Sequence, residues 1–261
     1  VYFIMNGFLS AEKFREESGY LVDGRWYPRV TKIVNIKAKP ALYRFYAEME
    51  SFGHGEKVVK ISAAEGTLIH ETAQAIMLGK NPPVAPAIAP AIKAFVAFFE
   101  QNDIRVNEEF VEKRVMDDEY RYAGTIDALA LIDGKLGVLD IKTSQAVYRD
   151  YNLQTSAYVK ALRSNFQNLA VRWILRIDQA QTCGRCGATL RTKGGRKKIK
   201  SDWRSPLPAC PESEHEWREA KGIVELKEFP RWESDFGGFL GAKTLWEWEN
   251  EEILKKIGYL R

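Results

Sequence analysis

The sequence predicts a layered α/β (α+β) domain whose sheet is covered by helices. Three observations carry that reading. Strand-length runs such as YAGTIDALALI and KLGVLDIK are apolar on both faces, the pattern of buried central strands. Longer stretches carry apolar stripes at helical spacing, and the elements follow the order α, β, β, β, α, β, β, α. With 261 residues, 45% of them hydrophobic, the chain can bury one sizeable core and a small appendage.

Residues 62–79 read as the first helix. Ser62 and Glu65 have capping-box spacing, and Gly79 sits where a C-terminal cap belongs. After a Pro-rich connector, a second helix carries Ile92, Phe95, Val96 and Phe99 on one stripe. Three strands follow, at 108–116, 122–132 and 135–142. The last two are joined by Asp133-Gly134, a strong two-residue hairpin signal. Residues 151–162 read as a helix, 170–177 and 222–229 as the arms of another hairpin, and 235–257 as the closing helix.

Into that second hairpin is inserted a segment rich in cysteine and basic residues. The expected organisation is a main domain over 1–182 and 216–261 and an inserted module over 183–215. All three cysteines, Cys183, Cys186 and Cys210, lie in the insertion, an odd number in one place that suits a metal better than a disulfide framework. Cys183-Gly-Arg-Cys186 has zinc-knuckle spacing, and Cys210 with His215 completes a Cys₃His set for structural Zn²⁺. The alternative is three unligated thiols in a loop. From Cys183 to Arg204 there are eight Lys or Arg against one Asp. Arg196, Lys197 and Lys198, with Trp203 for stacking, are candidates to grip nucleic acid; a solvated basic loop is the alternative.

Charged residues make up 28% of the chain, which excludes a membrane-embedded or disordered class. The opening VYFIMNGFL runs directly into Glu12, Glu16 and Glu17, unlike a signal or transit peptide. The expectation is a cytoplasmic, intracellular protein with no targeting signal and no membrane partner. The net charge of +4 is weak evidence for a polyanionic partner.

The chemistry concentrates in the central hairpin. If Asp133-Gly134 is the turn, paired residue numbers sum to 267, which sets Asp127 directly opposite Asp140 with Cβ atoms roughly 5 Å apart. Lys142, two residues on, leaves the same face. Facing carboxylates in an apolar sheet repel each other and lose hydration, and a divalent cation between them removes the repulsion. A hairpin end open to solvent is the alternative. Gly66 and His70 share one helix face, as do Gln154 and Tyr158. His70 alone reads more readily as a hydrogen-bonded core histidine than as a metal ligand or phosphate contact. Glu109 and Glu112 precede the hairpin, and either could reach the site.

In order along the chain, G-T-L-I-H (66–70), G-T-I-D (124–127), D-I-K (140–142) and Q-T-S-A-Y (154–158) resemble the four motifs of RecB-type PD-(D/E)XK nucleases. The similarity is greatest to phage-type and mitochondrial genome maintenance exonucleases. It extends over about residues 28–230 and includes P-R-V-T-K-I-V (28–34). The resemblance implies a restriction-endonuclease-like core, a central mixed sheet flanked by helices. It implies Mg²⁺ or Mn²⁺ bound by Asp127, Asp140, the carbonyl of Ile141 and His70. Lys142 would act on the attacking water, and Gln154 and Tyr158 would support the site and the scissile strand. The implied activity is that of an exonuclease on single-stranded DNA ends, leaving 5′-phosphates, in repair or recombination. A structure-specific or nicking endonuclease and a non-catalytic nucleic-acid-binding module are the alternatives. No cysteine precedes Cys183, so the iron–sulfur cluster of some relatives is not expected. No phosphate loop of a helicase motor is present.

Overall fold

Asp-Gly and Gly-Gly steps set the tightest turns of the fold, because both residues of a type I′ turn need positive φ. The computed structural model describes residues 10–202 and 205–261. Helix α1 (Ala11–Ser18) is capped by Ser10 and leads into a hairpin of β1 (Gly19–Val22) and β2 (Arg25–Pro28). Asp23 and Gly24 turn that hairpin with φ of 48° and 77°. Two short helices follow, α2 (Val30–Val34) and α3 (Pro40–Ala47).

Helix α4 (Phe52–Met77) starts ten residues before the expected position 62. Ser51 is its cap, accepting the His54 N–H, and Ser62 lies in mid-helix. Glu65 does not reach back to Ser62; its carboxylate accepts the N–H of Gly194 at 3.0 Å. The C-terminal end is the expected one. Gly79, at φ 68°, donates to the Ile76 carbonyl and Lys80 to the Ala75 carbonyl, each at 2.9 Å, forming a Schellman cap. Helix α5 (Ala89–Gln101) buries Ile92 and Phe95.

The sheet begins with β3 (Ile104–Val106). The segment expected as a strand over 108–116 opens as a 3₁₀ turn, Glu108–Phe110, and only its end is extended, in β4 (Arg114–Asp117). The expected strand 122–132 breaks at Ile126-Asp127. Its first part, β5 (Tyr122–Thr125), pairs with β4 in a separate two-stranded sheet, whereas β6 (Ala128–Ile132) pairs with β7 (Lys135–Lys142). Helix α6 (Tyr151–Leu162) crosses over to β8 (Leu169–Thr182), which runs parallel to β7. β8 is longer than expected because its last two residues pair with β9 (Thr189–Lys193), which forms a hairpin with β10 (Arg196–Lys200). β11 (Lys221–Phe229) returns antiparallel to β8. The closing helix divides at Asn250 into α7 (Glu233–Glu249) and α8 (Glu251–Lys256); the Asn250 side chain donates to the Trp246 carbonyl.

The result is a mixed sheet between two helical layers, ordered β10-β9-β8-β7-β6-β3 with β11 also on β8. On one face, Leu129 and Val138 pack with Tyr158 of α6 and Phe236 and Phe239 of α7. On the other, Ala128, Ala130, Leu139 and Ile141 pack with Ile69 and Ala73 of α4 and Ile92 and Phe95 of α5. Phe95 is fully buried, and truncating such a side chain to alanine costs about 3–5 kcal/mol. No helix among the described residues is long and apolar enough to cross a membrane.

Candidate functional site

Where β6 begins and β7 ends, helix α4 lies on one side and α6 on the other, and each lends side chains to the gap. The ladder has the expected register, Ile132 opposite Lys135 through Ala128 opposite Leu139. One step further would pair Asp127 with Asp140, but the ladder stops short of it. Asp127 Oδ2 instead accepts the Ile141 N–H at 2.6 Å and lies 2.9 Å from His70 Nε2 on α4. Asp140 turns the other way, toward α6: its Oδ1 accepts from Gln154 Nε2 at 3.2 Å and its Oδ2 lies 2.7 Å from Lys142 Nζ. The direct cross-strand carboxylate pair is therefore replaced by two carboxylates, each with its own helix partner.

Gln154 continues the chain of contacts. Its Nε2 donates to Tyr158 Oη at 3.0 Å, and its Oε1 lies 3.4 Å from Lys142 Nζ. Lys142 also sits over the ring of Tyr151, 5.1 Å from its centroid. Burial pushes the Asp140 carboxyl up to about 6, Lys142 opposing and the charge of Asp127 adding to the rise. Burial by itself would lower Lys142, but Asp140 and then Asp127 outweigh it and hold the ammonium above its ordinary range. His70 follows the same logic: burial lowers it, and the Asp127 hydrogen bond, with the charges of Asp127, Glu112 and Asp140, raises it overall.

A cleft of about 670 Å³ opens onto this cluster, with Gly66, His70, Gln74, Glu112, Lys142 and Thr143 on its walls. Mid-helix Gly66 is explained by a close approach, made by a side chain rather than by backbone: a Cβ there would lie 2.7 Å from Thr143 Oγ1. Gly124 has the corresponding role under α6, where a Cβ would meet Tyr158 Cε1 at 2.4 Å.

His70, Glu112 and Asp127 bring their ligand atoms within 4.8 Å of one another. Of the two glutamate candidates, Glu112 faces the site and Glu109 lies 3.6 Å from Lys113. Glu112 adopts a left-handed backbone, φ 53°, and its carboxylate accepts from Gln74. Holding a non-glycine residue there costs on the order of 1 kcal/mol. Gln74 was missed in the sequence, although it lies four residues after His70 on the same helix face. The hard oxygen donors of Glu112 and Asp127 beside the His70 imidazole suit a divalent cation, so the residues present fit such an ion; the buried Asp140 Oδ2 is met by the Lys142 ammonium.

The insertion forms a second cluster. Cys183, Cys186, Cys210 and His215 also converge within 4.8 Å, with Cys186 Sγ 3.5 Å from His215 Nδ1. Burial raises the Cys183 thiol, but backbone donors, Cys186 first among them, and the His215 ring bring it down to about 6. A thiol that ionises this readily is a ready metal ligand. The set can hold one metal ion in addition to any cation at the first site.

The predicted nucleic-acid contacts are not gathered at the cleft. Arg196 is tied to Glu48 at 2.6 Å and lies over Phe45, Lys197 lines a recess with Cys210 and His215, and Lys198 is exposed. Trp203 lies outside the described residues. From the insertion, Arg191 and Lys193 instead reach the rim of the cleft, where both donate to the carbonyl of Thr143, a residue of its wall. Comparison with models of protein families and with curated proteins finds no match to the chain.

Proposed function

We propose that this chain is a divalent-cation-dependent deoxyribonuclease of the PD-(D/E)XK type, acting as an exonuclease on single-stranded DNA ends. One observation carries the reading: His70, Asp127, Asp140, Lys142, Gln154 and Tyr158, from four separate stretches of sequence, form one connected polar cluster at the end of the central hairpin. A buried core gains nothing from two aspartates, a lysine and a histidine unless they act, since each ion loses several kcal/mol of hydration. The mixed sheet with its parallel β7–β8 crossover through α6 is compatible with a restriction-endonuclease-like core.

In this reading His70, Glu112 and Asp127 hold a Mg²⁺ or Mn²⁺ ion, with Asp140 and the carbonyl of Ile141 beside them. A bound cation of this kind polarises the phosphoryl group and lowers the pKa of water. Lys142, kept protonated by Asp140, orients a water toward phosphorus and offsets charge developing on the phosphoryl oxygens. Gln154 fixes both Asp140 and Lys142, and Tyr158 fixes Gln154, so these two residues act as positioning groups. The product is a 5′-phosphate. In the insertion, Zn²⁺ is the proposed occupant, because three thiolates and an imidazole select a soft, tetrahedral ion.

The test is digestion of end-labelled linear and circular single strands with Mg²⁺ or Mn²⁺. Linear DNA shortened from its ends and intact circles are expected. Cut circles would replace the exonuclease with an endonuclease, and no cleavage of any DNA by metal-loaded protein would refute the reading.

A further inference from the structure

We propose that the β9–β10 hairpin is a substrate-binding arm of the cleft, with Lys193 as the group that takes a nucleic-acid phosphate and the Cys/His knuckle as the root that holds the arm in place. The inference rests on the nuclease reading and adds to it a specific phosphate contact from the insertion.

The tip of the arm is seated on helix α4. Gly194 and Gly195 turn the hairpin at φ 62° and 76°, and a Cβ on Gly194 would lie 2.4 Å from the Val58 carbonyl oxygen and 2.2 Å from Ser62 Oγ. Only glycine allows that contact, which Glu65 locks by accepting the Gly194 N–H. Ser62 is one helical turn before Gly66, so the tip closes one end of the cleft. At the other end of the arm, β9 begins three residues after Cys186. Thr189 and Leu190 pair with the end of β8 immediately before Cys183.

Lys193 lies between tip and cleft. Its Nζ donates to the carbonyl of Thr143 and would be 3.8 Å from a Cβ on Gly66, and both residues line the cleft. Among the described residues it has no ion-pair partner. Nearby Asp178 is occupied by Arg191 at 2.7 Å and by Arg176 at 3.4 Å, and Glu65 is engaged with Gly194. Burial first, and the charge of Arg191 second, depress the Lys193 ammonium to about 8. A half-buried cation with a neutral carbonyl as its partner, at the edge of a cleft, gains from an arriving anion. A backbone phosphate of the bound strand, next to the one being cut, would meet it there. Arg196 differs: its guanidinium is already held by Glu48.

The experiment measures binding of a short fluorescent single-stranded oligodeoxynucleotide without divalent cation, across a salt series. Lys193→Gln should weaken binding about 5- to 10-fold and reduce the magnitude of the salt slope by about 0.7, the share of one phosphate contact on a single strand. Lys193→Arg should restore both. Gly194→Ala, which lifts the tip off α4 without touching the knuckle, should give a similar loss of affinity with zinc content unchanged. If wild type binds and cleaves DNA while Lys193→Gln matches it in affinity and slope, the arm is refuted and the nuclease reading stands. If wild type neither binds nor cleaves, both fall.

Discussion

Gly124 tests the packing that supports the site most directly. Replacing it with alanine adds one carbon 2.4 Å from Tyr158 Cε1 and 3.1 Å from Cζ. Carbon atoms at rest lie about 3.5–4.0 Å apart, so the ring must retreat by about 1 Å. It has little room, because Tyr158 is 2% exposed and packed in the core beneath α6. Overpacking of this kind costs about 1–3 kcal/mol, against a gain of about 0.4–1 kcal/mol from the stiffer unfolded chain. The net loss is about 1–2 kcal/mol, a fall in Tm of about 2–8 °C for a chain this size. Displacing Tyr158 also strips Gln154 of its 3.0 Å contact, so DNA cleavage should fall more steeply than stability. Thermal melting of Gly124→Ala, Tyr158→Leu and the double variant completes a cycle in which the steric clash requires a coupling of at least about 1 kcal/mol. If Gly124→Ala melts with the wild type, or if the two changes add, the packing argument is wrong.

Asp140→Asn and Lys142→Met should each reduce metal-dependent cleavage at least about 100-fold with the circular dichroism of the native fold retained; wild-type turnover in either would remove them from the site. Without added cation, Asp140→Asn should melt no lower than wild type at neutral pH, because burial disfavours the carboxylate it replaces. Elemental analysis should find one zinc per chain, lost in Cys186→Ser, and prolonged chelation should lower Tm. Lys193 provides a pH signature. Its folded value near 8 lies below its ordinary 10.5, so between those values the unfolded chain binds more protons and stability rises with pH; Lys193→Gln should flatten that rise in a series of melts. Oligonucleotide affinity should fall over the same interval in wild type and not in the variant.

Most of the central hairpin was legible because a two-residue turn and a period of two fix its register from sequence, and Ala128 to Ile132 pair as that arithmetic requires. The break before Asp127 was not legible. It arises because Thr125 finds its partner in Arg114, a long-range choice that no local pattern records. The start of α4 was hidden for a different reason: Gly53 and Gly55 weaken the helical pattern of its first turn, and Ser62 with Glu65 imitates a cap. The Cys and His spacing showed the second cluster directly. The sequence could not show which of eight basic residues reaches the cleft, because that depends on where the Gly194-Gly195 turn docks. Glu112 was visible only as one of two candidates, since its left-handed backbone aims the side chain.

The length of β8 carries a consequence for how the chain folds. Its pairing with β11 joins Ala180 to Lys221 across a loop of about 40 residues. A metal that ties Cys183 to His215, next to the Cys183–Trp217 bridge, shortens the effective loop to about nine residues. By the logarithmic rule of loop closure, that change is worth about 1 kcal/mol of chain entropy. Such a contact speeds folding if it forms before the rate-limiting barrier and slows unfolding if it forms after. Refolding kinetics with and without zinc therefore date the closure of the sheet: a faster refolding limb puts the knuckle in the folding nucleus, and a slower unfolding limb puts it among the last parts to assemble.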